Sequence, residues 1–133
     1  MDYIDLNKVC PIDYFPLPRI DQLVDSTSGH EMLTFMDAFF GYNHIKMDPA
    51  DEVRTSSITA FGTYCYKVMS FGLKNARATF QRMVTEFFKP QIGRNMEVYV
   101  DDMIVKTKLV VDHLIDLCET FDRLRYFNMK LNP

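Results

Sequence analysis

The sequence predicts an α+β fold, a central and mainly antiparallel sheet with helices packed on one face. Three observations carry that expectation. Apolar residues recur at helical spacing in two segments, 75–89 and from Val110 onward. Short β-leaning runs stand at 31–40, 55–72 and 96–107, and two of them read as hairpins. The elements follow one another without repeats or a low-complexity linker, and a length of 133 residues is one domain's worth of chain or part of a larger domain.

Taken in order, "FPLPRIDQLVD" opens with prolines that forbid regular structure and then permit a helix with Pro18 near its first turn. Ile20, Leu23 and Val24 give that helix a short apolar face, and "DSTSG" ends it. "EMLTFMDAFF" reads as a buried strand carrying Asp37 at its end, followed by the turn-rich "GYNHIKMDPADEV". "TSSITAFGTYCYKVMSFG" predicts two strands joined around Gly62, with Tyr64, Tyr66 and Val68 alternating on one face. The clearest helix spans 75–89: Asn75 is the expected cap, and Ala76, Phe80, Met83, Val84, Phe87 and Phe88 fall at helical spacing until Pro90 stops it. "MEVYV" and "MIVKT" form a hairpin whose tip is Asp101 and Asp102. Val110, Leu114, Leu117, Phe121 and Leu124 predict a second amphipathic helix ending near Asn128, and "MKLNP" reads as the start of another strand.

Composition narrows the function classes. With 47% apolar and 14% aromatic residues the chain can bury a sizeable core. The net charge of −3 argues against a free-standing nucleic-acid binder held by charge alone. Charge is nonetheless segregated: residues 67–94 carry Lys67, Lys74, Arg77, Arg82, Lys89 and Arg94 against the single acid Glu86, beside an acidic stretch from Asp13 to Glu52. Cys10, Cys65 and Cys118 show no metal-ligand spacing and read as buried or incidental thiols of a reducing compartment, and His30, His44 and His113 as structural or surface residues. No apolar run of about 18 residues exists to span a membrane, and the N-terminus lacks the pattern of a signal peptide.

Asp37 and the Asp101–Asp102 pair are the candidate chemistry. They lie 64 residues apart (101 minus 37), yet adjacent central strands would bring their carboxylates together. Hard divalent cations take oxygen ligands, and Mg²⁺ is usually held by one or two carboxylates plus substrate phosphates. Two ions roughly 4 Å apart stabilise the attacking and leaving oxygens of phosphoryl transfer. Taken alone, an Asp-Asp pair in a turn is more often solvated turn chemistry than a metal site.

The blocks "DLNKVCPIDYFPLPRIDQLVD", "LTFMDAFFGYNHIKM", "FGTYCYKVMSFGLKNARATFQRMV" and "VYVDDMIVKT" resemble, in order and over essentially the whole chain, the reverse transcriptase of gypsy-type LTR retrotransposons, with a plant-like flavour. The ending "RLRYFNMKLNP" is similar as well. The resemblance implies a right-hand polymerase: about residues 1–30 a remnant of the fingers, about 31–133 mostly palm with some fingers. It implies an RNA-directed DNA polymerase that adds deoxynucleotides to a primer 3′-hydroxyl on an RNA or DNA template, using two Mg²⁺ ions for which Mn²⁺ can substitute. Asp37, Asp101 and Asp102 would be the catalytic, metal-binding aspartates. Tyr42 would pack under the incoming sugar and exclude a 2′-hydroxyl; its bland reading is core packing beside Phe39 and Phe40. Phe71 and Gly72 would form the loop over the nucleotide, where glycine lets the backbone approach closely. Tyr99 and Val100 would sit near the primer terminus, and Lys74 and Arg82 would contact template phosphates, a solvated helix face being the alternative for both. The expected partners are template–primer, deoxynucleoside triphosphate and the rest of a Pol polyprotein (protease, RNase H, integrase), in virus-like particles of the cytoplasm or in the nucleus.

The chain also departs from that pattern. It is expected to begin part-way through the fingers and to end before the primer grip, thumb, connection and RNase H. Ser70 stands where the family has proline, Arg77 where it has proline or glycine, and "RTSSIT" where "KTAFIT" is expected. Serine in place of that proline is expected to free the backbone of the nucleotide loop. Two readings therefore remain: a polymerase fragment with intact aspartates, or a catalytically silent retrotransposon remnant that binds nucleic acid at most weakly. A nucleotide-cyclase-like palm is a third, but it leaves "FGLKNARATFQR" unexplained.

Overall fold

A computed structural model describes residues 3–39 and 41–133, so Phe40 lies outside the described residues. The helices and strands are α1 (Ile4–Val9), α2 (Ile20–Thr27), β1 (Met32–Asp37), α3 (Pro49–Glu52), β2 (Ser57–Thr59), β3 (Gly62–Tyr64), α4 (Ala76–Phe87), β4 (Met96–Tyr99), β5 (Asp102–Thr107) and α5 (His113–Tyr126). Single 3₁₀ turns occupy Gly41–His44, Val53–Thr55 and Val110–Asp112. The α+β class is the one predicted. The main sheet has the order β1-β5-β4, antiparallel throughout, and β2 pairs with β3 in a separate hairpin.

Because side chains alternate across a pleated sheet, register decides which residues face which layer. Met36, Met103 and Val98 stand side by side on one face, as do Thr34, Val105 and Met96. That face packs on α4 and α5, where Phe80, Val84, Phe88 and Leu124 join Met96, Val98 and Met103 in the core. Each such side chain, fully buried, contributes about 1.5–3 kcal/mol. The opposite face carries Phe35, Ile104 and Glu97 in one row and Asp37, Asp102 and Tyr99 in the next. The same alternation that builds the core therefore puts both strand aspartates on the face away from α4 and α5.

Several expectations are corrected. β1 is not a buried strand: Phe35 is 71% exposed, because α2 stands over that face with a cavity of about 580 Å³ between them. α1, of six residues, was not foreseen; it is too short to show a period. Asn75 makes no side-chain cap on α4. Its amide instead accepts from the Asp13 N–H at 2.9 Å and donates to the Pro11 carbonyl at 2.7 Å. On α5 the buried positions are His113, Thr120 and Leu124, while Leu114 is 74% exposed. Polar residues hold those inward places because they have partners there. His113 lies 2.7 Å from both the Thr34 and Thr107 hydroxyls, and Thr120 accepts from Gln91 at 3.0 Å.

The β2–β3 hairpin turns at Ala60–Phe61, and Tyr66 and Val68 leave its ladder, Val68 bridging to Lys46 instead. The strand expected at the C-terminal end is a single bridge from Leu131 to Ala38. The cysteines are free, with Cys65 and Cys118 exposed rather than buried. Among the described residues, no helix is long and apolar enough to cross a membrane.

Candidate active site

The connection from β4 to β5 takes two residues, Val100 and Asp101, so the hairpin tip is Val100–Asp101 and Asp102 already belongs to the ladder. Val100 adopts φ +52°, a left-handed conformation that β-branched residues seldom enter. Two things hold it there. Its side chain is buried at 4% exposure, and its N–H donates to Gln81 Oε1 at 2.6 Å. Gln81 is itself buried on α4, and its Nε2 reaches the Val98 carbonyl at 3.3 Å. One helix side chain thus fixes both sides of the tip. The Asp101 carbonyl accepts from Ala38 N at 3.0 Å, which ties the turn to the end of β1.

Asp37 and Asp102 are cross-strand partners, and Asp101 lies in the adjoining turn. Burial is the first cause that holds the Asp101 carboxyl above its ordinary value; Asp37 and then Asp102 add to it, and Arg77 opposes them. Asp37 Oδ2 accepts from Asn132 Nδ2 at 2.5 Å, and its carbonyl accepts from Asn132 N at 2.9 Å. The carboxylates are neighbours rather than a closed cage: among the described residues, no three acidic, His or Cys side chains converge as metal ligands. Gly41 is wedged against this group. A Cβ on it would stand 2.4 Å from Phe80 Cζ and 3.2 Å from Asp101 Oδ1.

A second cavity, of about 290 Å³, opens beside the turn and gathers Tyr42, Phe71, Tyr99, Val100, Asp101 and Asp102 with Arg77. Most of the residues singled out in the sequence thus share one wall system, and Asp37 adjoins it through Asp102 while lining the larger apolar cavity. The Tyr42 ring lies 5.2 Å from Phe80 and 6.1 Å from Phe71. Burial raises the Tyr42 hydroxyl above its ordinary value, with Asp101 adding and Arg77 opposing. Gly72 has φ +97°, a conformation that calls for glycine, and it follows the exposed Phe71. Ser70 does not free this loop. It is buried, accepts from the Tyr3 hydroxyl at 3.2 Å, and donates to the Phe71 carbonyl at 3.2 Å.

Lys74 and Arg82 are not brought to that cavity. Lys74 Nζ donates to the Cys10 carbonyl at 3.3 Å. Arg82 pairs with Asp13 at 2.5 Å and lies 5.2 Å from the Phe15 ring. The Phe15 N–H is the first cause that holds the Asp13 carboxyl below its ordinary value; burial opposes it, and Arg82 adds to the lowering. Sequence reasoning missed Gly41, Gln81 and Asn132 as site-building residues. Only Gln81 left a signal: a polar residue directly after Phe80 and three before Val84 on the buried stripe of α4.

The sequence model described as "Reverse transcriptase (RNA-dependent DNA polymerase)" matches residues 1–133. This chain belongs to the reverse transcriptase family. Among curated relatives of this reverse transcriptase chain, the Retrovirus-related Pol polyprotein from transposon 297 of Drosophila melanogaster is 33% identical over 98% of the chain and 12% of its own length. The Retrovirus-related Pol polyprotein from transposon gypsy of the same organism is 30% identical over 99% of the chain and 13% of its own length. The RNA-directed DNA polymerase homolog of Oenothera berteroana is 34% identical over 80% of the chain and 75% of its own length. The chain therefore spans about an eighth of the transposon polyproteins. Its fold is that of the foamy viral protease–reverse transcriptase solved in complex with RNA/DNA hybrid, with a TM-score of 0.88 and 21% identity over 98% of this chain and 18% of that one.

Proposed function

We propose that this chain carries the polymerase centre of a reverse transcriptase, transferring a nucleotidyl group from a deoxynucleoside triphosphate to a primer 3′-hydroxyl on an RNA or DNA template. One observation carries the reading: register sets Asp37 opposite Asp102, with Asp101 half-buried in the turn beside them. The donor chemistry fits a hard divalent cation. All the donors are carboxylate oxygens, and Mg²⁺ completes its shell with water and phosphate, so a closed protein cage is not required. Asp37 and Asp101 would hold the ions, with Asp102 close by. Bound there, two Mg²⁺ or Mn²⁺ ions supply Lewis acidity, lowering the primer hydroxyl's pKa and neutralising charge on the triphosphate.

The chain's own residues do the positioning. Tyr42, held between Phe80 and Phe71, would lie under the sugar, where a 2′-hydroxyl would meet its ring. Gly72 lets the loop backbone approach the nucleotide, and Tyr99 and Val100 border the primer end. Lys74 and Arg82 are the template-side cations, and Arg82 would exchange Asp13 for phosphate. In this reading residues 31–133 are mostly palm with some fingers, residues 1–30 belong to the fingers, and the polyprotein's protease, RNase H and integrase are partners.

Primer extension on poly(rA)/oligo(dT) with Mg²⁺ or Mn²⁺ tests the proposal. Incorporation that Asp101→Asn abolishes supports it. A folded chain with no incorporation above the Asp101→Asn control overturns it in favour of a silent remnant.

A further inference from the structure

We infer that Arg77 is a tethered counter-cation of the aspartate cluster, placed so that its fixed charge opposes the loading of a divalent ion at Asp101. The inference rests on the reading of Asp37, Asp101 and Asp102 as metal ligands.

Local structure gives no reason for a cation at this position. Arg77 is the second residue of α4, whose first turn holds no acidic residue. The positive end of the helix dipole disfavours a cation there. Proline or glycine, which the resemblance leads one to expect, would bring no charge at all. The guanidinium makes no ion pair with any carboxylate among the described residues. Its Nη2 donates to the Tyr99 hydroxyl at a long 3.4 Å, and its carbon lies 5.8 Å from the Tyr99 ring centroid. A guanidinium has five N–H donors and keeps its charge at any working pH, so most of its donors face solvent and its charge is not neutralised by a directly paired carboxylate.

What surrounds it is the candidate site. Arg77 shares the 290 Å³ cavity with Tyr42, Phe71, Asp101 and Asp102, parked on Tyr99 at the wall. Its charge reaches Asp101 and Tyr42 across that space. A cation here does two things at once. It offsets the repulsion among the three carboxylates, which stabilises the site without metal. It also repels the incoming divalent ion, whose binding needs the same negative potential. Across a wet cavity, one fixed charge acting on a doubly charged ion is worth roughly a three- to tenfold change in affinity, and added salt weakens it.

The experiment is Mn²⁺ binding to the full 133-residue chain at low ionic strength, read by electron paramagnetic resonance of free Mn²⁺ and by water-proton relaxation. Arg77→Gln should bind roughly three- to tenfold more tightly than the parent chain, the gap narrowing in high salt. Arg77→Lys, which keeps the charge, should stay near the parent value. Equal or weaker Mn²⁺ binding by a folded Arg77→Gln overturns the proposal; if that variant fails to fold, Arg77→Met gives the same reading. The underlying assignment fails differently: Mn²⁺ binding that is absent from parent and variant alike, or that Asp101→Asn leaves intact, removes the metal site itself and the proposal with it.

Discussion

Gly41 acts through the side chain it lacks. The space a Cβ would need is filled by the Phe80 ring and bordered by Asp101 Oδ1, so any larger residue must push one of them aside. Gly41→Ala should lower stability by about 1–3 kcal/mol, measured by urea unfolding, and weaken Mn²⁺ binding by displacing Asp101. Asp101 carries a pH signature of its own. Its folded pKa lies above the unfolded value of about 3.9, so the protonated form is the one the fold accommodates better. That contribution is present at low pH and is lost as pH rises through the folded pKa. Asp101→Asn should therefore raise the urea midpoint at pH 7, with the difference closing toward pH 3. The aspartates could be read from sequence because charge on an apolar hairpin demands a reason. Gly41 and Asn132 could not, since their roles depend on contacts with Phe80 and Asp37, 39 and 95 residues away (80 minus 41, 132 minus 37).

The element that governs the site is α4. Gln81 satisfies the Val100 N–H and the Val98 carbonyl together, so the strained hairpin tip is held from one buried side chain. Gln81→Leu leaves those backbone groups without partners in the core and should cost about 1–3 kcal/mol for each orphaned group. Nuclear magnetic resonance of the Val100 amide would show whether the left-handed turn survives. α4 and the β4–β5 hairpin were legible because their periods are long and their stops, Pro90 and the two-residue turn, are sharp. The face of α5 was misread because an apolar pattern has no way to register His113 and Thr120, whose inward places are set by Thr34, Thr107 and Gln91 on other elements. β1 was misread as buried because its apolar run gives no sign that one sheet face is left open.

At the scale of the molecule, the α+β architecture and the meeting of Asp37 with Asp102 were both foreseen, since antiparallel pairing of the two strands is the simplest way to bury their shared apolar face. How residues 3–15 are fastened was not foreseen. They are sewn to the 70–82 region by Tyr3 on Ser70, Asn7 on the Lys74 amide, Asn75 on Asp13, and Arg82 on Asp13. Removing the ion pair by Arg82→Ala should loosen that seam alone: amide exchange of α1 should accelerate while β4 and β5 keep their protection. The seam also sets a sequence of events in time. Its bonds join residues 62–69 positions apart, whereas the hairpin carrying Asp101 closes over two residues. Long loops close late because ordering them loses more chain entropy before any contact is gained. In a refolding experiment with pulsed exchange, the hairpin carrying Asp101 and Asp102 should be protected first and α1 last, so a refolding chain would set two of its carboxylates side by side before its N-terminal segment is fastened down.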